Sequence, residues 1–263
     1  MNYKDIIRKI TDKIISQLQE GIIPWRKSWK IGVPLNYITQ KPYNGINFLN
    51  LITEEYPSPY YLTYLQCQQK QGRIKSGEKG HLIVYWSVKE IIDEEENIKE
   101  VPIIKYSYVF NLSQTTLYTE NTEGLIKTCE EIIENIKDEI DIRHNLRGCY
   151  YDSIRDVISI PPIENFESKE EYYSSLFHEI IHWTGHKERL NRLEKDYAFE
   201  ELIAEIGSAY LCGIAHISNK TIENQSAYIN GWLKQIKQEP RVLLKAAAEA
   251  NKAINYILKQ KEE

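Results

Sequence analysis

The sequence predicts an α+β protein in which a small mixed N-terminal domain is followed by a mainly helical C-terminal domain. Two runs rich in β-branched and aromatic residues, "HLIVYWSV" and "VPIIKYSYVFNL", indicate strands in the first part of the chain. Amphipathic helical patterns dominate the second part. Charge divides the chain in a similar way, because residues 1–89 carry 13 Lys and Arg against 6 Asp and Glu, whereas residues 90–263 carry 20 against 32. We therefore expect the two parts to meet different partners.

The N-terminal part begins with a helix and continues into the predicted strands. The apolar face of that helix consists of Tyr3, Ile6, Ile7, Ile10, Ile14 and Leu18, and Gly21 provides its C-terminal cap. The acidic stretch "DEEENIKE" between the two strands is expected to be a solvated hairpin loop. Because the polar segment "SQTTLYTENTEG" precedes the next helical pattern, "LIKTCEEIIENIKDEI", we place a domain boundary near Glu120. The predicted domains are residues 1–120 and 121–263.

A helix carrying paired histidines is predicted from Lys169 to Thr184, in the stretch "SLFHEIIHWTGHKERL". Ser168 and Glu171 form a capping-box pattern before it, and Gly185 stands where the helix should end. His178 and His182 lie one turn apart on a face with enough apolar neighbours to be buried, and two buried imidazoles without partners would be costly. Imidazoles at this spacing can both bind one Zn²⁺, and the adjacent Glu179 is suited to act as the general base for an attacking water.

Two histidines rarely hold a catalytic zinc alone, so the sequence should supply a third ligand. Glu188 occupies the position of the third histidine in the pattern HExxHxxGxxH, and His186 comes two residues too early for it. The next predicted helix, "DYAFEELIAEIGSAYL", carries Glu201 and Glu205 on one face. This layout resembles that of the gluzincins, which implies Glu201 as the metal ligand and Glu205 as the acid that orients a ligand histidine. Glu188 is the alternative ligand, and Glu200 is expected to face solvent.

Two further C-terminal segments have simpler patterns. The segment "RDVISIPP" is similar to the edge strand on which zincin-like proteases align an extended substrate, although an ordinary strand explains it nearly as well. The final segment, "PRVLLKAAAEANKAINYIL", predicts a packing helix with Pro240 in its first turn.

The N-terminal part interleaves aromatic residues with basic ones. Sixteen of the 29 Phe, Trp and Tyr residues lie in residues 1–120. Aromatic platforms beside a positive groove are what single-stranded nucleic acid binding requires, although most such rings in a folded domain belong to the core or to strands. "GRIKSGEKG" is not a P-loop, because Glu78 follows the glycine where a lysine is needed. The predicted DNA-binding set is Trp25, Arg26, Lys27, Trp29, Lys30, Tyr43, Arg73, Lys75 and Lys79.

The remaining composition indicates a reduced, cytoplasmic protein. The four cysteines form no CxxC pair, and the N-terminus "MNYKDIIRKITDK" lacks the unbroken apolar run of a signal peptide. No apolar segment approaches the roughly 20 residues needed to span a bilayer, so no membrane partner is expected.

Together these patterns resemble the ArdC-type antirestriction proteins of plasmids and other mobile elements. The segments that carry the resemblance are "IPWRKSW", "PYNGINFLNL", "YLTYLQCQQKQGRIKSGEKGHLIVYW", "YVFNLSQT", "HEIIHWTGHKERLNR", "YAFEELIAEIGSAYL" and "AYINGWL". Their order and spacing cover nearly the whole chain. The resemblance implies an N-terminal single-stranded-DNA-binding domain, a C-terminal zincin-like metallopeptidase domain, and protection of incoming DNA from restriction.

Two functions follow from these expectations. In one, the chain is a DNA-tethered zinc metallopeptidase whose protein substrate is a restriction enzyme or another DNA-bound protein. In the other, it is a non-proteolytic protein that binds and shields single-stranded DNA, and its metal is structural. About one Zn²⁺ per chain is expected at His178, His182 and Glu201, with Mn²⁺ as a possible substitute.

Overall fold

The structure, a computed structural model, describes residues 3–26, 31–92, 98–119, 127–145, 147–193, 196–218 and 225–260. The helices of this part are α1 (Tyr3–Gln19), α2 (Gly45–Ile52), α3 (Tyr64–Gln69), α4 (Cys129–Glu134), α5 (Lys169–Thr184), α6 (Tyr197–Ile214), α7 (Gln225–Gln238) and α8 (Arg241–Ile257). The strands are β1 (Leu35–Asn36), β2 (Tyr60–Thr63), β3 (His81–Ile92), β4 (Ile98–Asn111), β5 (Asp141–His144), β6 (Tyr150–Asp152) and β7 (Val157–Ile160). The predicted α+β class is therefore confirmed.

A four-stranded sheet organises the N-terminal part. Its order is β1-β2-β4-β3, with β1 and β2 parallel and the other pairs antiparallel. The predicted strand pair is confirmed as β3 and β4, whose register runs from His81 opposite Val109 to Ile92 opposite Ile98. The ladder is longer than predicted, because Ile98, Lys99 and Glu100 of the acidic stretch belong to β4. The rest of the predicted hairpin loop, residues 93–97, lies outside the described residues.

The first helix and its end follow the prediction. The apolar face of α1 is buried from Ile6 to Leu18, and Gly21 has a positive φ of 78°, a backbone conformation that glycine adopts without steric cost. By contrast, the described part of the next helical pattern, residues 127–140, forms only the short helix α4, followed by turns.

A three-stranded sheet precedes the paired-histidine helix, in the order β5-β7-β6. The expectation of an edge strand at residues 155–162 is wrong, because β7 is the central strand, parallel to β5 and antiparallel to β6. Val157, Ile158 and Ile160 are all buried, as is usual for a strand covered on both faces. The strands at the edges of this sheet are β5 and β6.

The main hydrophobic core runs through both parts of the chain. It joins apolar residues of α1 and α2 to those of α5, α6 and α8. Phe48 of α2, for example, packs edge-on against Tyr210 of α6, with ring centroids 4.9 Å apart. The boundary near Glu120 stays a prediction, since residues 120–126 lie outside the described residues, but the two parts do not have separate main cores.

Close packing of α5 on α6 brings the predicted ligand residues together. Gly207 of α6 faces Ile181 of α5, and a Cβ atom at position 207 would lie 2.6 Å from the Cδ1 atom of Ile181. Only glycine allows this approach without displacing Ile181. The glycine therefore lets the histidines of one helix face the acids of the other.

Candidate metal centre

The helix α5 has the predicted bounds and is fixed at both ends by local contacts. The Ser168 hydroxyl accepts a hydrogen bond from the backbone N–H of Glu171 at 3.2 Å. The Glu171 carboxylate accepts from the backbone N–H of Glu167 rather than closing a capping box with Ser168. Gly185 ends the helix with a right-handed φ of −77°, and a Cβ atom there would lie 2.8 Å from the Cδ2 atom of Leu193. Close packing, not a left-handed turn, explains this glycine.

Two buried side chains, His178 and Glu201, form a cluster with the partly buried His182 between α5 and α6. The Nε2 atoms of His178 and His182 are 3.1 Å apart, and each lies 3.5 Å from one oxygen of the Glu201 carboxylate. Ligand atoms in a tetrahedral zinc site with bonds of about 2.0 Å lie roughly 3.3 Å from one another. The donor set and its spacing therefore fit a divalent metal. Within the described residues this is the group that combines three possible ligand atoms.

Charge within the cluster also favours a cation. Burial opposes ionisation of Glu201, but hydrogen bonding with His178 and His182 outweighs it and lowers the pKa of this carboxyl. Burial likewise opposes protonation of His182, but its contacts with Glu200 and Glu201 raise the pKa of the imidazole. Glu201 is thus held in the ionised form that binds a metal, whereas His182 must lose a proton before its Nε2 atom can bind one.

A carboxylate stands behind His182. The Oε1 atom of Glu200 lies 3.3 Å from the Nδ1 atom of His182, and Glu200 is buried. Arg192 donates to both oxygens of the same carboxylate at 3.0 Å. The expectation that Glu200 faces solvent is wrong, because α6 is buried all round from Glu200 to Ile214.

A second carboxylate stands behind His178. The Oε1 atom of Glu205 lies 3.8 Å from the Nδ1 atom of His178, on the side of the ring away from the cluster. Glu205 is fully buried and accepts two hydrogen bonds from Arg26, at 2.9 Å from Nε and 2.6 Å from Nη2. Glu205 thus lies on the outer side of His178 at a distance longer than a hydrogen bond, and its orienting role stays a prediction.

Glu179 lies beside the cluster and toward the three-stranded sheet. It is buried, next to His178 on α5. Burial, together with the charge of Glu179, raises the pKa of the Cys149 thiol to about 11. Cys149 immediately precedes β6, and β6 packs against α5, the helix that carries Glu179.

The alternative third ligands lie elsewhere. Glu188 is exposed and is not part of the cluster. The Nδ1 atom of buried His186 accepts a hydrogen bond from the backbone N–H of Glu188 at 3.4 Å, so this imidazole turns toward its own loop.

Two residues of the predicted DNA-binding set are buried. Trp25 has no exposed surface and packs against Trp232, with ring centroids 5.7 Å apart. Arg26 points inward to Glu205, and its side chain is 8% exposed. The expectation that both contact DNA is wrong for this conformation, because the core covers the ring and the carboxylate occupies the guanidinium.

The other predicted DNA-binding residues divide into three groups. Tyr43 is partly buried against Tyr61, and its hydroxyl accepts a hydrogen bond from Asn36 at 3.1 Å. Exposed side chains at the surface are those of Arg73, Lys75 and Lys79. Lys27, Trp29 and Lys30 lie outside the described residues.

The predicted set leaves out several exposed aromatic and apolar residues in the same part of the chain. Tyr64 and Leu65 of α3 are 53% and 67% exposed. Both residues precede Arg73 in the chain. The sequence could have indicated their exposure, because they follow Thr63, the N-terminal cap of α3, directly. Tyr108, 38% exposed on β4, also has the Nζ atom of Lys9 lying 5.9 Å from its ring centroid.

A helix with the HExxH pattern, and an acidic side chain of the next helix within reach of both histidines, are typical of a zincin-like domain. In agreement, the family described as "Zincin-like metallopeptidase" matches residues 127–249. The N-terminal domain of anti-restriction factor ArdC matches residues 4–110. The metal-free crystal structure of the antirestriction protein ArdC from the R388 plasmid is 33% identical and has a TM-score of 0.84, covering 98% of this chain and 100% of that one. The chain belongs to the ArdC family of antirestriction proteins.

Other similar proteins bear on the metal and on chain length. The Mn(II)-bound structure of the same plasmid ArdC has a TM-score of 0.80 at 33% identity and covers 98% of each chain, which supports a divalent metal in this fold. Two Escherichia coli proteins named DNA primase TraC are each 30% identical, but the chain spans only 27% and 19% of their lengths, while 97% and 95% of this chain is covered. An uncharacterized Sinorhizobium fredii protein is 28% identical over 98% of this chain and 93% of its own length.

The described helices include none that combines the length and the apolar character required to cross a bilayer.

Proposed function

We propose that this antirestriction protein binds single-stranded DNA through its N-terminal part and hydrolyses a protein substrate at a zinc site in its C-terminal part, which protects incoming mobile-element DNA from restriction. The observation that carries the proposal is the cluster of His178, His182 and Glu201 with Glu179 beside it. Two imidazoles and one carboxylate are a ligand set typical of catalytic zinc, although Mn²⁺ could take its place.

The residues around the cluster have distinct parts in this reaction. When bound, the metal would supply a Lewis acid that polarises the scissile carbonyl. Glu179 accepts the proton of the attacking water and passes it to the leaving amine. Glu200, held by Arg192, accepts a hydrogen bond from the Nδ1–H of His182, which leaves the Nε2 atom unprotonated and free to bind. The burial of these groups limits the access of bulk water.

The edge strand β6 is the candidate platform for the substrate. Tyr150–Asp152 pairs with β7 on one side only within the described sheet. β6 also packs against α5, the helix that carries Glu179. An extended peptide paired to β6 by main-chain hydrogen bonds would therefore run past the proposed base.

DNA binding is proposed for the exposed cations of the N-terminal part. Arg73, Lys75 and Lys79 lie in one exposed stretch, and the part of the chain that contains them has a net charge of +7. Tyr64 on the preceding helix α3 exposes more than half of its surface, so it can offer a stacking face. Cations together with an exposed ring in one part of the chain favour single strands, whose bases are free to stack.

A structural metal in a DNA-shielding protein is the second candidate. It is favoured by the location of α5 and α6 at the centre of the main core, where a metal that joins the two helices would stabilise the whole fold.

Restriction escape by matched variants separates the two candidates. DNA that encodes the parent protein, the Glu179→Gln variant or the His182→Ala variant is introduced into a restricting host, and the surviving fraction of the DNA is measured. The metal content of each purified protein is measured separately. Proteolysis predicts that Glu179→Gln keeps its metal and its affinity for single strands but fails to protect. If Glu179→Gln protects as well as the parent and only His182→Ala fails, the metal is structural. A parent that contains no stoichiometric divalent metal would overturn both candidates.

A further inference from the structure

One ion pair joins the N-terminal part of the chain to the metal centre. Arg26 and Glu205 are 179 positions apart, yet the guanidinium donates two hydrogen bonds to the carboxylate, one to each oxygen. The side chains are 8% and 0% exposed. A two-point contact in such a buried place fixes the position and the rotation of the carboxylate.

The fixed carboxylate faces a ligand imidazole. Its Oε1 atom lies 3.8 Å from the Nδ1 atom of His178, while the Nε2 atom of the same ring points into the cluster. This Nδ1 atom is buried and makes no hydrogen bond within the described part of the chain. A small movement of the ring would bring its N–H within hydrogen-bonding distance of Glu205.

The other ligand imidazole has the same arrangement, built from the C-terminal part alone. Behind His182 stands Glu200, and Arg192 holds Glu200 with two hydrogen bonds. Each ligand histidine thus has a carboxylate behind it, and each carboxylate has its own arginine. The difference is that Arg26 comes from the opposite end of the chain.

We propose that Arg26 is a positioning residue of the metal centre, through which the N-terminal part sets the affinity of the C-terminal site for its metal. The inference rests on the proposed metal function. Trp25, buried against Trp232 of α7, anchors the backbone from which Arg26 extends. The metal site is therefore completed by both parts of the chain, and the zincin-like part alone lacks one of its two arginine supports.

Removing Arg26 should change metal affinity through two opposing effects, the loss of its charge and the loss of its support for Glu205. A cation near a metal site repels the metal, so removing its charge alone would tighten metal binding. Releasing Glu205 from its two-point contact removes the support of His178, which weakens metal binding. Loss of an orienting contact behind a ligand typically lowers metal affinity by roughly 10-fold to 100-fold. The direction of the change identifies which effect dominates.

The test measures the Zn²⁺ dissociation constant of the full chain by competition with a chromophoric chelator. We expect Arg26→Gln to bind Zn²⁺ roughly tenfold more weakly than the parent. Lys13→Gln is the matched control, since Lys13 pairs with Glu54 in the same part of the chain and Glu54 contacts His81 rather than the cluster. The visible spectrum of bound Co²⁺ should change in Arg26→Gln and not in Lys13→Gln.

A double-variant cycle assigns the effect to Glu205. Arg26→Gln should cause no further loss of affinity in a Glu205→Gln background. If Arg26→Gln does not fold without metal, Arg26→Lys replaces it in the test. Lysine keeps the positive charge but cannot make the two parallel hydrogen bonds of a guanidinium, so this variant should still bind Zn²⁺ more weakly than the parent. The inference alone is overturned if the folded Arg26→Gln variant binds Zn²⁺ as tightly as the parent or more tightly. It is also overturned if Arg26→Gln lowers Zn²⁺ affinity equally in the parent and in the Glu205→Gln background. A parent that binds no Zn²⁺ overturns the proposed metal function as well.

Discussion

The Oε1 atom of Glu200 lies 3.3 Å from the Nδ1 atom of His182, and Arg192 holds the same carboxylate with two hydrogen bonds of 3.0 Å. An imidazole that donates its Nδ1 proton presents an unprotonated Nε2 atom. That Nε2 atom is the one that faces His178 and Glu201. Glu200 therefore sets the tautomer and the orientation of His182 without belonging to the ligand cluster.

Replacing Glu200 should weaken metal binding without removing a ligand. We expect Glu200→Gln to lower Zn²⁺ affinity by roughly 10-fold to 100-fold, because an amide fixes the imidazole less firmly than a carboxylate does. Chelator competition measures the change. Glu188→Gln is the control, since Glu188 is exposed and lies outside the cluster. Equal affinities for the two variants would contradict this role of Glu200.

The base and the ligand on α5 should respond differently to substitution. Glu179→Gln should retain metal and fold but lose about 10² to 10⁴-fold in peptide hydrolysis, because the amide accepts no proton. His182→Ala should lose metal and the stability that the metal lends to the packing of α5 on α6. Elemental analysis, thermal unfolding and a cleavage assay distinguish these outcomes. Loss of metal from Glu179→Gln would show that Glu179 is a ligand rather than a base.

Local signals explain what could be predicted of this site. The bounds of α5 follow from a capping serine, an apolar periodicity and a terminal glycine, all of which act within a few residues. Since the two histidines are one turn apart, their common face is also a local property. The spacing between the HExxH pattern and the acidic pair on the next helix resembles that of the gluzincins and predicts Glu201 as a ligand. The structure places Glu201 in the cluster.

The environment of the ligands depends on contacts that no local pattern reveals. Arg26 stands among bases and aromatic residues, a pattern that fits a DNA groove and a buried ion pair equally well. Its partner, Glu205, is 179 positions away. Similarly, the central position of β7 depends on pairing with β5 and β6, which is decided by topology rather than by the strand's own residues. The burial of Glu200 was foreseeable, because α6 has few polar positions that could form a solvent-facing side.

DNA binding by the surface cations should depend strongly on salt. If three to five phosphates of single-stranded DNA are neutralised, a plot of log K against log salt should have a slope of roughly −2 to −3.5. Replacing Arg73, Lys75 and Lys79 together with Gln should make the slope less steep by about 2. Fluorescence anisotropy with a labelled oligonucleotide at several salt concentrations measures both slopes.

The control for this experiment removes three exposed lysines from the acidic part of the chain. Lys187, Lys234 and Lys237 are all exposed, and their replacement with Gln should leave the slope unchanged. A parent slope near zero would contradict the proposed DNA interface. Equal affinity for duplex DNA would argue only against base stacking on residues such as Tyr64.

The partly exposed carboxylate of Glu54, which contacts Lys13 and His81, predicts a pH-dependent contribution to stability. A hydrogen bond with His81, and to a smaller extent the ammonium of Lys13, lowers the pKa of Glu54 from 4.5 to about 2 against the opposing effect of burial. A carboxyl group whose pKa is lower in the folded state stabilises the fold above its unfolded-state pKa. That stability is lost as the pH falls from about 4.5 to about 2.

Glu54→Gln should therefore be less stable than the parent at pH 7 but not at about pH 2. The fall in pKa sets an upper limit of about 3 kcal/mol, and the partial exposure of Glu54 and Lys13 reduces the expected loss to about 1 to 2 kcal/mol. Urea unfolding of both proteins from pH 7 down to the acid limit of the folded state measures the difference. The exposed neighbour provides the control, because Glu55→Gln should match the parent throughout. A difference that stays constant as the pH falls below 4.5 would assign the loss to packing rather than to the charge of Glu54.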